Sequence, residues 1–219
     1  MNPRQHFEQR LEELQLAIVR MGGMIEEAVS KAADAFCSRN RELAQQVIEG
    51  DIQIDKFERQ IENQCAALIA TEQPVALDLR IIIAALKISN DLERTGDYAK
   101  HLATVATVVS RDIVQKSRPE VLAMAETANA ILREGLQAYV KRDVELANQA
   151  KARDDMVDRT YMQLFQEILG SMKEDPDTIQ SAVAVLFVCK YLERLADHAT
   201  NVCDEVIFVC TGARKEWLA

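Results

Sequence analysis

The sequence is poor in the residues that interrupt regular structure. Its 219 residues include only seven glycines and four prolines, and aromatic residues make up 5% of the chain. A β-sandwich or barrel needs frequent turns and strands rich in aromatic and β-branched residues, so this composition disfavours both. Alanine, leucine, glutamate, glutamine, arginine and methionine are plentiful instead, which favours long helices.

The chain also lacks long apolar runs, basic runs and paired cysteine motifs. Its longest strongly apolar stretches, near residues 81–86 and 182–189, are much shorter than a membrane span. The net charge of −9, without any Lys/Arg run, argues against a nucleic-acid partner. Five cysteines without a C-x-x-C pair indicate reduced core residues. The N-terminus has no apolar signal segment, so we expect a cytoplasmic protein.

The few breakers divide the chain into six predicted helices. Within each one, apolar residues recur at steps of three and four, as on the buried face of a helix. Pro74 is placed to open the third helix, and Ser117-Arg118-Pro119 resembles a cap followed by a first-turn proline. The predicted helices cover residues 5–38, 41–69, 75–111, 120–141, 144–169 and 175–210.

The second half of the sequence repeats the first. A shift of 103 residues places Arg39-Asn40 on Arg142-Asp143, and a shift of 100 places Leu92-Glu93-Arg94 on Leu192-Glu193-Arg194. A shared helical register would not match these polar residues so readily, so we infer a true duplication. The sequence therefore predicts an all-α fold of two tandem three-helix bundles, with six long helices related by internal duplication. We assign the first repeat to residues 1–114 and the second to residues 115–219.

Each predicted repeat carries two pairs of acidic residues, one on its second helix and one on its third. Within a pair the spacing is four residues, so both carboxylates lie on one helix face and repel each other. The pairs extend an apolar face, so antiparallel packing of the two helices would bring four carboxylates together. The pairs are Asp51/Asp55, Glu93/Asp97, Asp154/Asp158 and Glu193/Asp197.

From the residues alone, two interpretations of these carboxylates are open. Carboxylate oxygens suit hard cations such as Mg²⁺, Ca²⁺, Mn²⁺ and iron, so each group of four could hold metal. Neighbouring arginines could instead neutralise the acids through salt bridges. The arginines close to them in sequence are Arg59, Arg94, Arg153, Arg159 and Arg194.

Three segments carry a pattern more specific than helical periodicity. They are residues 71–80 (TEQPVALDLR), 88–97 (ISNDLERTGD) and 192–201 (LERLADHATN). These segments resemble the signatures of the PhoU family, and the resemblance covers essentially the whole chain. It implies multinuclear metal clusters held by the eight acids named above, with iron, zinc, manganese or magnesium as the cation.

One position departs from the pattern of that family. Family members commonly have asparagine four residues after the second acid of the motif. Asn201 fits this pattern, whereas His101 stands at the corresponding place in the first repeat. Both are possible additional metal ligands. His101 extends the stripe of Glu93 and Asp97 and could reach a metal, although a surface or capping histidine is the favoured interpretation.

The resemblance implies a regulator rather than an enzyme. The expected function is negative regulation of the phosphate-starvation response and of phosphate homeostasis. The expected partners are the ATP-binding subunit of a phosphate transporter and a sensor histidine kinase, met peripherally at the inner face of the membrane. We also expect a homodimer.

Two other classes of protein stay open as alternatives. One is a carboxylate-bridged metalloenzyme of ferritin-like type, and the other is a metal-free helical scaffold. Ferritin-like bundles use Glu-x-x-His, which neither Glu93 nor Glu193 begins. The chain shows neither a Ser/His/Asp set nor a Walker glycine loop.

Overall fold

The computed structural model describes residues 3–106 and 111–213 of the chain. Within these ranges the chain forms seven α-helices and one 3-10 helix, and no strand. They are α1 (Pro3–Ser38), α2 (Arg41–Glu72), α3 (Ala76–Ala106), α4 (Arg111–Lys141), α5 (Val144–Lys151), α6 (Asp154–Glu174), the 3-10 helix (Pro176–Thr178) and α7 (Ile179–Thr211). The all-α prediction is confirmed, and the predicted fifth helix is divided into α5 and α6. Residues 107–110, within the predicted third helix, lie outside the described ranges.

Four of the helices form the centre of the molecule. α1 packs on α3 and on α4, and α7 packs on α3 and on α4. α2 lies along α1 and α3, whereas α5 and α6 lie along α4 and α7. Corresponding helices of the two repeats therefore occupy corresponding places, as expected for an internal duplication. No described helix is long and apolar enough to cross a membrane.

The junction between the first two helices has the same local structure in both repeats. Arg39 and Arg142 adopt the left-handed conformation, each with a φ of 54°. The next residues, Asn40 and Asp143, cap the following helices, because their side chains accept hydrogen bonds from amides in the first turn. These are the residues that the shift of 103 aligned, so the repetition in sequence corresponds to a repeated local structure.

One large apolar core joins the two repeats. Its buried side chains come from all seven α-helices. The predicted apolar stripe of α1 forms part of it, since Leu14, Ile18, Met21, Ile25 and Val29 are each at most 1% exposed. Helical spacing in the sequence thus identifies the buried face correctly.

The predicted start of the fourth helix is wrong. α4 begins at Arg111, nine residues earlier than predicted, and Pro119 lies inside it. Ser117 is not a cap, because its hydroxyl donates to the carbonyl of Val114 within the same helix. Val114, Ser117 and Val121 are all buried at helical spacing. This packing outweighs the loss of one backbone hydrogen bond at the proline. The repeat boundary between residues 114 and 115 stays a prediction.

A turn at residues 152–153 divides the predicted fifth helix. α2 runs through the corresponding part of the first repeat without a break. α6 therefore begins at Asp154, in a first turn where free amides and the helix dipole favour negative charge. It also extends to Glu174, five residues beyond the predicted end, and Met172 packs against the core.

Gly22 is expected to be intolerant of a side chain, unlike its neighbour Gly23. A Cβ at Gly22 would lie 2.1 Å from Cδ1 of the buried Leu136 in α4, whereas nothing lies within 4 Å of a Cβ at Gly23. We expect Gly22→Val to lower the free energy of unfolding by about 1–3 kcal/mol through overpacking. Gly23→Val should change it by less than about 0.5 kcal/mol. Urea denaturation measures both, and equal effects would contradict this packing.

Candidate functional site

The fold brings the first four carboxylates together where α2 packs on α3. We call Asp51, Asp55, Glu93 and Asp97 the first cluster. Burial raises the pKa of Glu93, and the charges of Asp97, Asp55 and Asp51 raise it further, while Arg94 opposes the shift. The two acidic pairs of the first repeat therefore form one electrostatic unit.

The other four carboxylates meet where α6 packs on α7. We call Asp154, Asp158, Glu193 and Asp197 the second cluster. Burial raises the pKa of Asp154 to about 6, with contributions from Asp158, Asp197 and Glu193. Burial and the charge of Glu193 also raise the pKa of Asp197. Repulsion among carboxylates is thus built into both repeats.

Lysine and arginine side chains offset part of the charge of the first cluster. Lys100 Nζ donates a hydrogen bond to Asp51 Oδ2 and lies 3.8 Å from Asp97 Oδ1. Arg94 Nη1 lies 3.8 Å from Asp97 Oδ2. Sequence analysis missed Lys100, although its position three residues after Asp97 places it on the same side of α3.

The second cluster has its own basic partners. Lys190 Nζ donates to Glu193 Oε1 at 2.7 Å, and Arg194 Nη1 donates to Asp197 Oδ2 at 3.1 Å. Lys190 also lies 5.3 Å from the centre of the Tyr161 ring. Both of these pairs lie within α7.

The arginines proposed as salt-bridge partners divide into two groups. Arg94 and Arg194 approach cluster carboxylates. Arg153 instead donates to Glu134 of α4 at 2.9 Å, outside the clusters. The salt-bridge interpretation therefore accounts for part of the acidic charge in each cluster.

The second cluster offers the carboxylate oxygens that a hard cation prefers. Oδ1 of Asp154 is buried and has no hydrogen-bond partner among the described residues. An unpaired carboxylate oxygen is costly to bury, and a cation would satisfy it. Across residues 3–106 and 111–213, no three His, Cys, Asp or Glu side chains are gathered tightly enough to hold a metal ion. The carboxylates would therefore have to rotate to share one.

His101, one of the two additional candidate ligands, lies where α3 contacts α7. Its ring centre is 5.4 Å from that of Tyr191 and 6.2 Å from that of Tyr98. The Tyr98 and Tyr191 ring centres are 6.0 Å apart. His101 thus joins a group of aromatic rings that spans the two repeats, which sequence analysis did not foresee.

Asn201, the other additional candidate, also contacts the opposite repeat. Its Nδ2 donates to Asp91 Oδ1 at 2.9 Å. His198 Nδ1 is hydrogen-bonded to the same oxygen at 2.8 Å. Asp91 is thus a polar link between the repeats, and no local spacing in the sequence indicated it.

Asp154 should make the stability of the metal-free protein depend on pH. Its pKa is about 6 in the folded state against an ordinary value of 3.8, so the folded state binds the proton more tightly. The carboxylate is therefore destabilising above pH 6, and this cost disappears as the pH falls toward 4. We expect Asp154→Asn to raise the free energy of unfolding by about 1 kcal/mol at pH 7.5, allowing for solvent screening.

The Asp154→Asn comparison is made by urea denaturation in the presence of a chelator. At pH 4 the variant and the original chain should be nearly equal in stability. Asp155→Asn is the matched control, because the Asp155 side chain is 80% exposed. A stabilisation that is the same at pH 4 and pH 7.5 would contradict the assigned repulsion.

Taken together, the helices and acids define a class of protein. The chain consists of two similar helical repeats. In the first repeat four carboxylates lie where α2 packs on α3, and in the second repeat four carboxylates lie where α6 packs on α7. The sequence matches the PhoU domain twice, at residues 18–106 and 121–206. The chain belongs to the PhoU family.

Individual relatives agree over nearly the full length of the chain. A phosphate-specific transport system accessory protein PhoU homolog of Clostridium acetobutylicum is 38% identical over 214 residues, which are 97% of this chain and 98% of the relative. The homolog of the same name in Rhizobium meliloti is 38% identical, over 96% of this chain and 89% of its own.

Solved structures show the same architecture. The crystal structure of PhoU from Pseudomonas aeruginosa superposes with a TM-score of 0.88 at 33% identity, covering 94% of this chain and all of that one. The phosphate transport system regulatory protein PhoU from Streptococcus pneumoniae gives a TM-score of 0.88 at 29% identity, covering 94% of this chain and 98% of that one. The family consists of regulatory accessory proteins rather than enzymes, which confirms the non-enzymatic prediction.

Proposed function

We propose that this protein is an accessory regulator of phosphate transport that represses the phosphate-starvation response when phosphate is plentiful. The observation that carries the proposal is the similarity to a transport accessory protein over 97% of the chain, together with the two matches to the PhoU domain. The role in regulating phosphate transport follows from the family, and repression of the starvation response is the finer part of the proposal.

The proposed partners are the ATP-binding subunit of the phosphate transporter and a sensor histidine kinase. Long helices, several of more than thirty residues, provide extended surfaces for such contacts. The net charge of −9 disfavours direct attraction to anionic lipid. Docking at the cytoplasmic face of the membrane would therefore be mediated by the protein partners. A homodimer stays a prediction within this proposal.

We also propose that the two carboxylate clusters bind cations. Two observations support this: Oδ1 of Asp154 is buried without a hydrogen-bond partner among the described residues, and burial together with the charge of Asp97 raises the pKa of Glu93. The candidate cations remain iron, zinc, manganese and magnesium, with oxygen ligands favouring the harder ones. A bound cation would make a strongly negative surface nearly neutral and so change which partner surfaces it can approach.

The proposed function is tested by a pull-down from membranes of phosphate-fed and phosphate-starved cells. The bait is the chain with a tag that contains no histidine, in buffers without chelator, and bound proteins are identified by mass spectrometry. We expect the transporter ATP-binding subunit and a histidine kinase among them, with recovery that depends on phosphate supply. Failure to recover either protein under both conditions, beyond the level of resin without bait, contradicts the proposal.

A metal-free helical scaffold is the second candidate. The ion pairs of Lys100 with Asp51 and of Lys190 with Glu193 favour it, because they neutralise part of each cluster without metal. Elemental analysis of untagged protein purified without chelator distinguishes the two candidates. Metal retained in stoichiometric amounts supports cation binding, and its absence after dialysis against each candidate cation supports the scaffold.

A further inference from the structure

We propose that Lys100 is a built-in counter-ion of the first cluster, and that the two clusters therefore differ in cation affinity, with the second cluster the stronger. The inference rests on the proposed binding of cations, and it adds which of the two clusters has the higher cation affinity. It follows from the position of one ammonium group and from the residue that replaces it in the second repeat.

In the first cluster the ammonium group bridges two helices. Lys100 belongs to α3, and its Nζ donates to Asp51 Oδ2 of α2 while lying 3.8 Å from Asp97 Oδ1. Asp51 is only 3% exposed, whereas the Lys100 side chain is 36% exposed, so the contact is shielded from solvent on the side of Asp51. A positive charge thus lies among the carboxylates of both helices.

The second cluster has no ammonium in the corresponding place. The shift of 100 residues puts Thr200 at the position of Lys100. The Thr200 hydroxyl donates to the carbonyl of Asp197 in its own helix and brings no charge. On α6, the helix that packs against α7, Oδ1 of Asp154 is buried and has no hydrogen-bond partner among the described residues.

The two clusters have the same number of basic side chains close to them, and they differ in where those side chains lie. Lys100 and Arg94 approach the first cluster, and Lys190 and Arg194 approach the second. Lys190 and Arg194 pair with carboxylates of α7, the helix that carries them. Lys100 alone of these four has its closest partner on the neighbouring helix, at the most buried carboxylate, Asp51.

A metal ion at the first cluster therefore competes with an ammonium already bound to Asp51. A metal ion at the second cluster competes with Lys190 only at Glu193, on the same helix, and it also meets the buried Oδ1 of Asp154, which has no hydrogen-bond partner among the described residues. Competition of this kind lowers apparent affinity, because the cluster must first release its internal cation. The second cluster should fill at a lower metal concentration than the first.

The experiment exchanges the two residues and measures Mn²⁺ binding by isothermal titration calorimetry. Each exchange is made in a chain with a single intact cluster. Glu193→Ala/Asp197→Ala leaves the first cluster, and Glu93→Ala/Asp97→Ala leaves the second. We expect Lys100→Thr to tighten Mn²⁺ binding at the first cluster about tenfold, the effect of a coupling of about 1.4 kcal/mol. Thr200→Lys should weaken binding at the second cluster by a similar factor.

Two further comparisons keep the test decisive. Lys87→Thr is the matched control, because Lys87 also lies on α3 but pairs with Glu205, 3.7 Å away. It should change Mn²⁺ affinity less than twofold. Without metal, Lys100→Thr should lower the urea midpoint, since the buried Asp51 loses its partner, and saturating Mn²⁺ should restore it. Lys100→Gln serves the same purpose if the threonine variant does not fold.

The outcomes distinguish the inference from the proposed function. If the original chain binds no Mn²⁺ or other candidate cation, the proposed cation binding fails and the inference fails with it. If Mn²⁺ binds but neither exchange shifts its affinity by more than twofold, cation binding stands and the role of Lys100 is overturned. Opposite shifts in the two single-cluster chains support it.

Discussion

Deletion of the gene is expected to leave the phosphate-starvation genes switched on in high-phosphate medium, without abolishing phosphate uptake. The first effect follows from the proposed role as a repressor. The second follows because the proposed role is to regulate the transporter and not to carry phosphate across the membrane. A reporter fused to a starvation promoter measures the first, and uptake of labelled phosphate measures the second.

Restoring the gene provides the control for the deletion. A plasmid carrying the original chain should return the reporter to its repressed level, and the well-tolerated Gly23→Val chain should do the same. Normal repression in the deletion strain would remove the basis for the regulator assignment. Complete loss of phosphate uptake would instead indicate a direct role in transport.

Removing the carboxylates of one cluster is expected to remove a large part of the bound metal and leave the helices intact. Glu93→Ala/Asp97→Ala acts on the first cluster, and Glu193→Ala/Asp197→Ala acts on the second. Each double variant should lose roughly half of the metal at saturation, because two of four ligands are lost and the remaining carboxylates bind a cation poorly. Elemental analysis and circular dichroism measure metal and helix content.

The matched control for metal binding is Glu8→Ala/Glu12→Ala on α1. These acids have the same spacing of four residues, but they are exposed and belong to neither cluster. Their removal should leave the metal content unchanged. Stripping metal from the original chain should also lower its melting temperature, by an amount equivalent to about 2.7 kcal/mol at a hundredfold excess over the dissociation constant. Unchanged stoichiometry in both cluster variants would argue against cation binding at these acids.

The duplication and the two clusters could be predicted because they depend on local periodicity. Residues four apart on a helix share a face whatever the tertiary structure, so the pairing of Glu93 with Asp97 needs no further information. Each repeat also has an acidic pair on its second helix and another on its third helix, so packing of these two neighbouring helices was enough to predict each cluster. The Asn40 and Asp143 caps are equally local, since a cap is defined by the residue and the next turn.

The features that sequence analysis missed depend on contacts between distant parts of the chain. Lys100 bonds to Asp51, 49 residues away, and Asp91 bonds to His198, 107 residues away. The continuation of α4 through Pro119 likewise depends on burial of its face against other helices, which overrides the local preference for a break. These contacts depend on how the helices pack in three dimensions, and the spacing of residues along the sequence does not indicate them directly.

The most direct test of regulation through the carboxylate clusters is a reporter measurement in cells whose only copy of the gene carries Glu193→Ala/Asp197→Ala. The Glu8→Ala/Glu12→Ala chain is the control, and immunoblotting confirms equal protein levels. We predict that the cluster variant fails to repress in high phosphate and approaches the deletion strain, whereas the control represses normally. Full repression by a cluster variant shown to have lost its metal would contradict control by these sites.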